Sequence, residues 1–134
     1  MNDAFFDSNI LIYAVTTDDP RRPIARSLLD RGGVIGTQCL NEFAVVARRK
    51  LRLEWSMIRR QLDVIEGLCS RVVPLDLDVH RHGLRIAEER QLSIYDGMIV
   101  AAALTAGCNT LYSEDMHAGL IVDGRLTVVN PFAS

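Results

Sequence analysis

Apolar residues recur along this chain in two rhythms. Short apolar runs cut off by small or charged residues alternate with longer stretches whose apolar positions return every three or four residues. The first rhythm suits buried strands, the second amphipathic helices. Phe5-Phe6 is a short run that Asp7 ends abruptly, and after Ser8 and Asn9 the chain turns apolar again through Ile10-Leu11-Ile12-Tyr13. Asp19-Pro20 predicts a helix start, with a cap acid and a proline at the first helical position. Ile24, Ala25, Leu28 and Leu29 form that helix's apolar face, and Gly32-Gly33 ends it.

Val34-Ile35-Gly36 reads as a second strand, and a helix is predicted from about Gln38 to Lys50 on a stripe of Phe43, Val46 and Ala47. Trp55, Ile58, Leu62, Ile65 and Cys69 predict a third helix whose stripe belongs to the core or to a partner surface. Arg71-Val72-Val73 is a strand closed by Pro74. A fourth helix follows from about Asp76, with Val79, Gly83, Ile86, Ala87 and Arg90 on one side. The stretch from Met98 to Leu104 is apolar all round, which marks the most buried helix, and Gly107 fits the residue just past its end. Asn109 to Tyr112 and Leu126 to Val129 are strands, with a turn at Asp123-Gly124 before the last and Asn130-Pro131 closing the fold. The order, close to βαβααβααβ, predicts a three-layer α/β fold around a mainly parallel sheet.

A length of 134 residues suits one domain, 1–134, able to bury a real core. No apolar run has the length of a membrane span and the N-terminus lacks a basic-then-apolar leader, so a cytoplasmic location is expected. Cys39, Cys69 and Cys108 are odd in number and far apart, as reduced core thiols are, and not closely paired as structural zinc requires. A net charge of −2 does not favour nucleic acid, although Lys50 is the only lysine among 15 basic residues. Arginine's planar fork suits phosphate or carboxylate, but surface arginine equally needs no partner.

Four acids fall in unusual places. Asp7 ends an apolar strand, where open α/β sheets put their ligands, and is also suited to cap the next helical turn. Glu42 borders a buried helix face, where a carboxylate needs a cation, a route to water or a partner such as Arg49. Asp96 completes a Ser93-x-x-Asp96 capping box at the mouth of the buried helix. Ser113-Glu114-Asp115 repeats the strand, small polar residue, acid pattern of Asp7. In a parallel sheet these acids, two at strand ends and two in first turns of helices, gather at one edge. Like charges about 4 Å apart repel by about 4 kcal/mol at an effective dielectric near 20. Such a cluster keeps protons or holds cations, and with only oxygen ligands the natural guest is Mg²⁺ or Mn²⁺. These ions suit phosphodiester hydrolysis. His80 and His82, two apart on a helix, point away from each other and read as surface histidines.

The chain resembles a PIN domain, in particular a VapC-type toxin of bacterial toxin–antitoxin pairs. The resemblance rests on Phe6-Asp7-Ser8-Asn9-Ile10-Leu11-Ile12-Tyr13-Ala14, on Cys39-Leu40-Asn41-Glu42-Phe43 with Ala47-Arg48-Arg49-Lys50, and on Tyr95-Asp96-Gly97-Met98-Ile99-Val100-Ala101-Ala102-Ala103. Leu111-Tyr112-Ser113-Glu114-Asp115-Met116 and Val129-Asn130-Pro131-Phe132 complete it. It implies an α/β/α PIN fold and a Mg²⁺- or Mn²⁺-dependent endoribonuclease with Asp7, Glu42, Asp96 and Asp115 as catalytic, metal-holding acids. Asn9 and Ser113 would be helpers that orient ligands or water. It also implies a homodimer, RNA as substrate and a cognate VapB-like antitoxin that blocks the acidic site. Gly97 stands where Ala is usual and Ser113 where Thr is commoner. Glu114 adds an acid beside Asp115; strand alternation would turn the two to opposite sides, and favours Asp115 as the ligand. A phosphoacceptor receiver needs a late lysine, and a haloacid-dehalogenase phosphatase needs Asp-x-Asp where this chain has Asp7-Ser8-Asn9. A non-catalytic PIN-like module that binds RNA or protein, and a nuclease acting on DNA, remain as alternatives.

Overall fold

The computed structural model describes residues 3–133. Its strands form one sheet in the order β3-β2-β1-β4-β6-β5, from β1 (Phe5–Phe6), β2 (Val34–Gly36), β3 (Arg71–Val73), β4 (Thr110–Tyr112), β5 (Ile121–Val122) and β6 (Leu126–Val129). Every pairing is parallel except β5 with β6, so the fold is the mainly parallel α/β/α arrangement that the hydrophobic pattern predicts. Strand order runs outward from β1 to β2 and β3 on one side and resumes with β4 on the other. The carboxyl ends of β1 and β4 therefore flank a topological switch point, where sheets of this kind leave a crevice for ligands.

The helices are α1 (Ser8–Val15), α2 (Arg22–Asp30), α3 (Thr37–Arg49), α4 (Trp55–Leu68), α5 (Leu77–Arg90) and α6 (Ile94–Thr105). Two elements, α1 and β5, escape the sequence reading. Ile10-Leu11-Ile12 continues from a strand and looks like one, yet Asp7 caps a full helix there, its side chain accepting the Ser8 N–H. β5 has two residues, too few for a period to show. Asp123 and Gly124, both at positive φ, form the expected turn into β6, closed by the Arg125 N–H on the Val122 carbonyl.

Helix α2 starts later than Asp19-Pro20 predicts. Asp19 spends its side chain on Arg21, and Pro23 takes the early helical position that suits a residue without an N–H. Ile24, expected on the buried face, is 42% exposed. Trp55 also departs from the predicted stripe: as the first residue of α4 it lies outside the core, under the Arg48 guanidinium 5.0 Å from its ring centroid. Arg90 is exposed at the end of α5. His80 is exposed, and His82 approaches Asp123 at 3.9 Å, so the two histidines share nothing.

Helix α6 is buried along the whole of Gly97 to Leu104. Only half of the predicted capping box forms: Ser93 Oγ accepts the Asp96 N–H at 3.1 Å, while the Asp96 carboxylate does not accept the Ser93 backbone N–H. Ser93→Ala is expected to cost about 1 kcal/mol of stability in a urea melt, the usual worth of an N-cap. An unchanged midpoint would show that the cap contributes nothing. The three cysteines are free thiols, and no helix among the described residues is long and apolar enough to cross a membrane.

Candidate active site

Asp7 follows β1 directly and is 2% exposed. Its Oδ1 accepts the Ser8 N–H at 2.6 Å, and its Oδ2 accepts the Ser113 hydroxyl at 2.7 Å across the switch point. Burial is the main cause that pushes its pKa from 3.8 up to about 6; the hydrogen bonds from Ser113 and Ser8 oppose this, and the charges of Asp96 and Glu42 add to it. A carboxylate so placed keeps its proton to a higher pH than a free one, and nearby positive charge would favour its ionised form.

Glu42 lies in the second turn of α3, not the first, and it does not meet Arg49. Its Oε1 accepts the Ser8 hydroxyl at 2.8 Å and its Oε2 the Gln38 amide at 3.0 Å. Ser8 thus stands between Asp7 and Glu42. Asp96, in the first turn of α6, is half-buried, and its pKa is raised by burial first, then by Glu42 and Asp115. The capping geometry that holds Asp96 at the helix mouth also brings it within the field of the other acids.

Asp115 does not end β4 but sits in a bend three residues beyond it, and it is exposed. Asn9 Nδ2 donates to Asp115 Oδ2 at 3.3 Å and to Asp7 Oδ2 at 3.4 Å, while Asn9 Oδ1 accepts the Glu114 N–H. Glu114 turns away from this group. It meets Arg21 Nη1, at 2.9 and 3.1 Å, and the Tyr13 hydroxyl. Asp7, Glu42 and Asp115 are therefore joined through two side chains, Ser8 and Asn9, and Asp96 couples to them by charge. Ser8, Asn9, Glu42 and Asp115 line a cleft of about 1020 Å³ that Arg49, Lys50 and Tyr95 also line, with Glu42 and Arg49 two turns apart on α3.

Two features here were not singled out in the sequence. The bridging role of Ser8 follows from its position at the start of α1, a helix that the apolar run conceals. The Arg21–Glu114 pair joins residues 93 positions apart, and no local pattern announces it.

A family model for the PIN domain matches residues 4–118. The chain belongs to the PIN domain family. No curated protein matches it at a significant level. Among solved structures, a toxin–antitoxin complex from Klebsiella pneumoniae is 20% identical over 96% of this chain and 98% of its own, with a TM-score of 0.72. FitAcB from Neisseria gonorrhoeae is 19% identical over 96% of this chain and 98% of its own, at 0.68. The VapC20 toxin of Mycobacterium tuberculosis, which cleaves the Sarcin-Ricin loop, is 19% identical over 84% of this chain and 89% of its own, at 0.67. At such identities the likeness speaks for the fold.

Among the described residues of this PIN domain, no three carboxylate, imidazole or thiol side chains close into a ready-made metal cage. Mg²⁺ does not require one, since it keeps several waters and binds through one or two carboxylates. The donor set fits such an ion: hard oxygens, one of them on an acid whose pKa is raised first by burial and then by the charges of Asp96 and Glu42.

Proposed function

We propose that this PIN domain is the toxin of a type II toxin–antitoxin pair and a Mg²⁺- or Mn²⁺-dependent endoribonuclease. The reading rests on one observation above the rest: Asp7, Glu42 and Asp115, from three separate elements, are tied into one network at the sheet's switch point, with Asp96 in their field. The similar solved structures lend it support, since they include a toxin that cleaves the Sarcin-Ricin loop and complexes of toxins with antitoxins.

Asp7, Asp96 and Asp115 would hold the ion, with Glu42 in support. When bound, the ion supplies positive charge that activates water and offsets charge building on the phosphate oxygens. Ser113 fixes one oxygen of Asp7 and Ser8 the other, so that carboxylate keeps its orientation without reorganising. Asn9 sets the spacing of Asp7 and Asp115. Arg49 and Lys50, further along the same cleft, offer positive charge to the phosphates of a bound strand. The same mixed lining suits an antitoxin segment that bears arginine for the acids.

The test incubates purified protein with structured RNA and with single-stranded DNA of matching sequence, in Mn²⁺ and in EDTA, and maps the new ends. Mn²⁺-dependent RNA cuts that vanish in Asp96→Asn are expected. Cuts confined to DNA would move the substrate class, and cutting that persists in EDTA would remove the metal. Binding without cutting would leave a non-catalytic module.

A further inference from the structure

Asp115 is the most exposed of the four acids and accepts a single hydrogen bond, from Asn9 at 3.3 Å. Its placement therefore depends on what holds the bend around it. On one side Ser113 is fixed, its hydroxyl donating to Asp7 and accepting the Met116 N–H. On the other, Glu114 is fixed by Arg21.

Arg21 lies in the connection between α1 and α2 and is fully engaged. Its Nε and Nη2 grip the two oxygens of Asp19 at 2.9 and 2.8 Å. Its Nη1 reaches both oxygens of Glu114 and the Tyr13 hydroxyl at 2.8 Å, while the guanidinium lies 3.7 Å from the Tyr13 ring centroid. Tyr13 is braced in turn, edge to face, by Phe132. An arginine with all three nitrogens committed this way has little left for a phosphate.

We propose that Arg21 is a positioning residue for the metal site: anchored on Asp19, it brackets Glu114 out of the carboxylate cluster and so turns Asp115 into it. The inference rests on the metal-site reading above. It also gives Glu114 a role: the acid beside the ligand is the handle by which the bend is held. Lysine could not do this, because one ammonium cannot grip Asp19 with a fork and span to Glu114 as well.

Mn²⁺ affinity, measured by isothermal titration, is the readout, with cleavage kinetics beside it. Arg21→Ala and Arg21→Lys are each expected to weaken Mn²⁺ binding about 10-fold and kcat by about 10- to 100-fold, as outer-shell losses do, with little change in KM for RNA. Glu114→Ala, which leaves the Arg21–Asp19 grip intact and covers the case of a poorly folded Arg21 variant, should weaken binding to the same degree. Glu114→Gln, which still accepts from Arg21 and Tyr13, should bind Mn²⁺ within about twofold of the parent, against the loss an outer-shell break causes. Parental Mn²⁺ affinity in Arg21→Ala and Glu114→Ala, with Asp115→Asn impaired, would overturn the bracket alone. A loss in Glu114→Gln as deep as in Asp115→Asn would make Glu114 a ligand and also overturn it. An Asp115→Asn variant that binds Mn²⁺ normally would instead remove the site assignment, and the bracket with it.

Discussion

Asp7→Asn is expected to abolish cleavage and, at the same time, to make the metal-free protein more stable. The two effects share one cause. Asp7 is buried at 2% exposure among other acids, and its folded-state pKa stands at about 6 against 3.8 for a free carboxyl. Because that pKa is raised, the folded state holds a proton through the window between about pH 4 and pH 6 that the unfolded chain has already released. Folding then binds protons, so stability falls as pH rises through that window and stays lowered above it. Each unit of difference is worth about 1.4 kcal/mol, which bounds the penalty above pH 6 at about 3 kcal/mol.

Asparagine removes the charge and keeps an oxygen for the Ser8 N–H, but it places an NH₂ where Asp7 Oδ2 now accepts from Ser113 and Asn9. The net gain is expected to be about 1–2 kcal/mol at pH 7.5, and to vanish near pH 4. Urea melts at the two pH values measure it, in EDTA. Adding Mn²⁺ should stabilise the parent, since a ligand of the folded state raises its stability, and should leave Asp7→Asn unmoved. A variant less stable than the parent at pH 7.5 would show that the Ser113 and Asn9 bonds to Asp7 outweigh its buried charge, and one that still cuts RNA would remove Asp7 from the catalytic acids.

The dual character of Asp7 shows what the chain discloses about itself. A two-residue strand ended by an acid was legible because burial on both faces forces a continuous apolar run. The helix α1 was not, because Ser8 to Leu11 are all buried, so no polar face marks its period. Trp55 misleads for the opposite reason: it keeps the period of α4, but at a first position the helix has not yet reached the layer it packs on. For the site, the one-dimensional pattern locates acids at strand ends and helix mouths. It contains nothing of the bonds that span the sheet. Strand alternation favours Asp115 over Glu114 in the sequence, yet the two lie in a bend beyond β4, where alternation does not apply. They diverge in the structure because Arg21 and Tyr13 hold Glu114.

Gly97→Ala is expected to destabilise the protein, although it restores the residue usual in proteins this chain resembles. Alanine inside a helix gains about 1 kcal/mol over glycine. Here that gain meets a hard obstacle. A Cβ on Gly97 would stand 2.4 Å from the Gly83 carbonyl oxygen and 3.0 Å from the Ala87 Cβ, and one on Gly83 would meet the Met98 backbone at 3.0 Å. The two glycines let α5 and α6 cross backbone to backbone, and a backbone oxygen cannot step aside as a side chain can. The helices must separate, at an overpacking cost of about 1–3 kcal/mol or more. The net loss should appear as a melting temperature lower by several degrees, with Gly97→Val worse than Gly97→Ala. Asp96 precedes Gly97 at the mouth of the same helix, so the displacement should also weaken Mn²⁺ binding at temperatures where the variant is fully folded. An unchanged or raised melting temperature in Gly97→Ala would mean that α5 yields freely. The glycine pair would then be a tolerated substitution and not the contact that sets how far Asp96 reaches into the site.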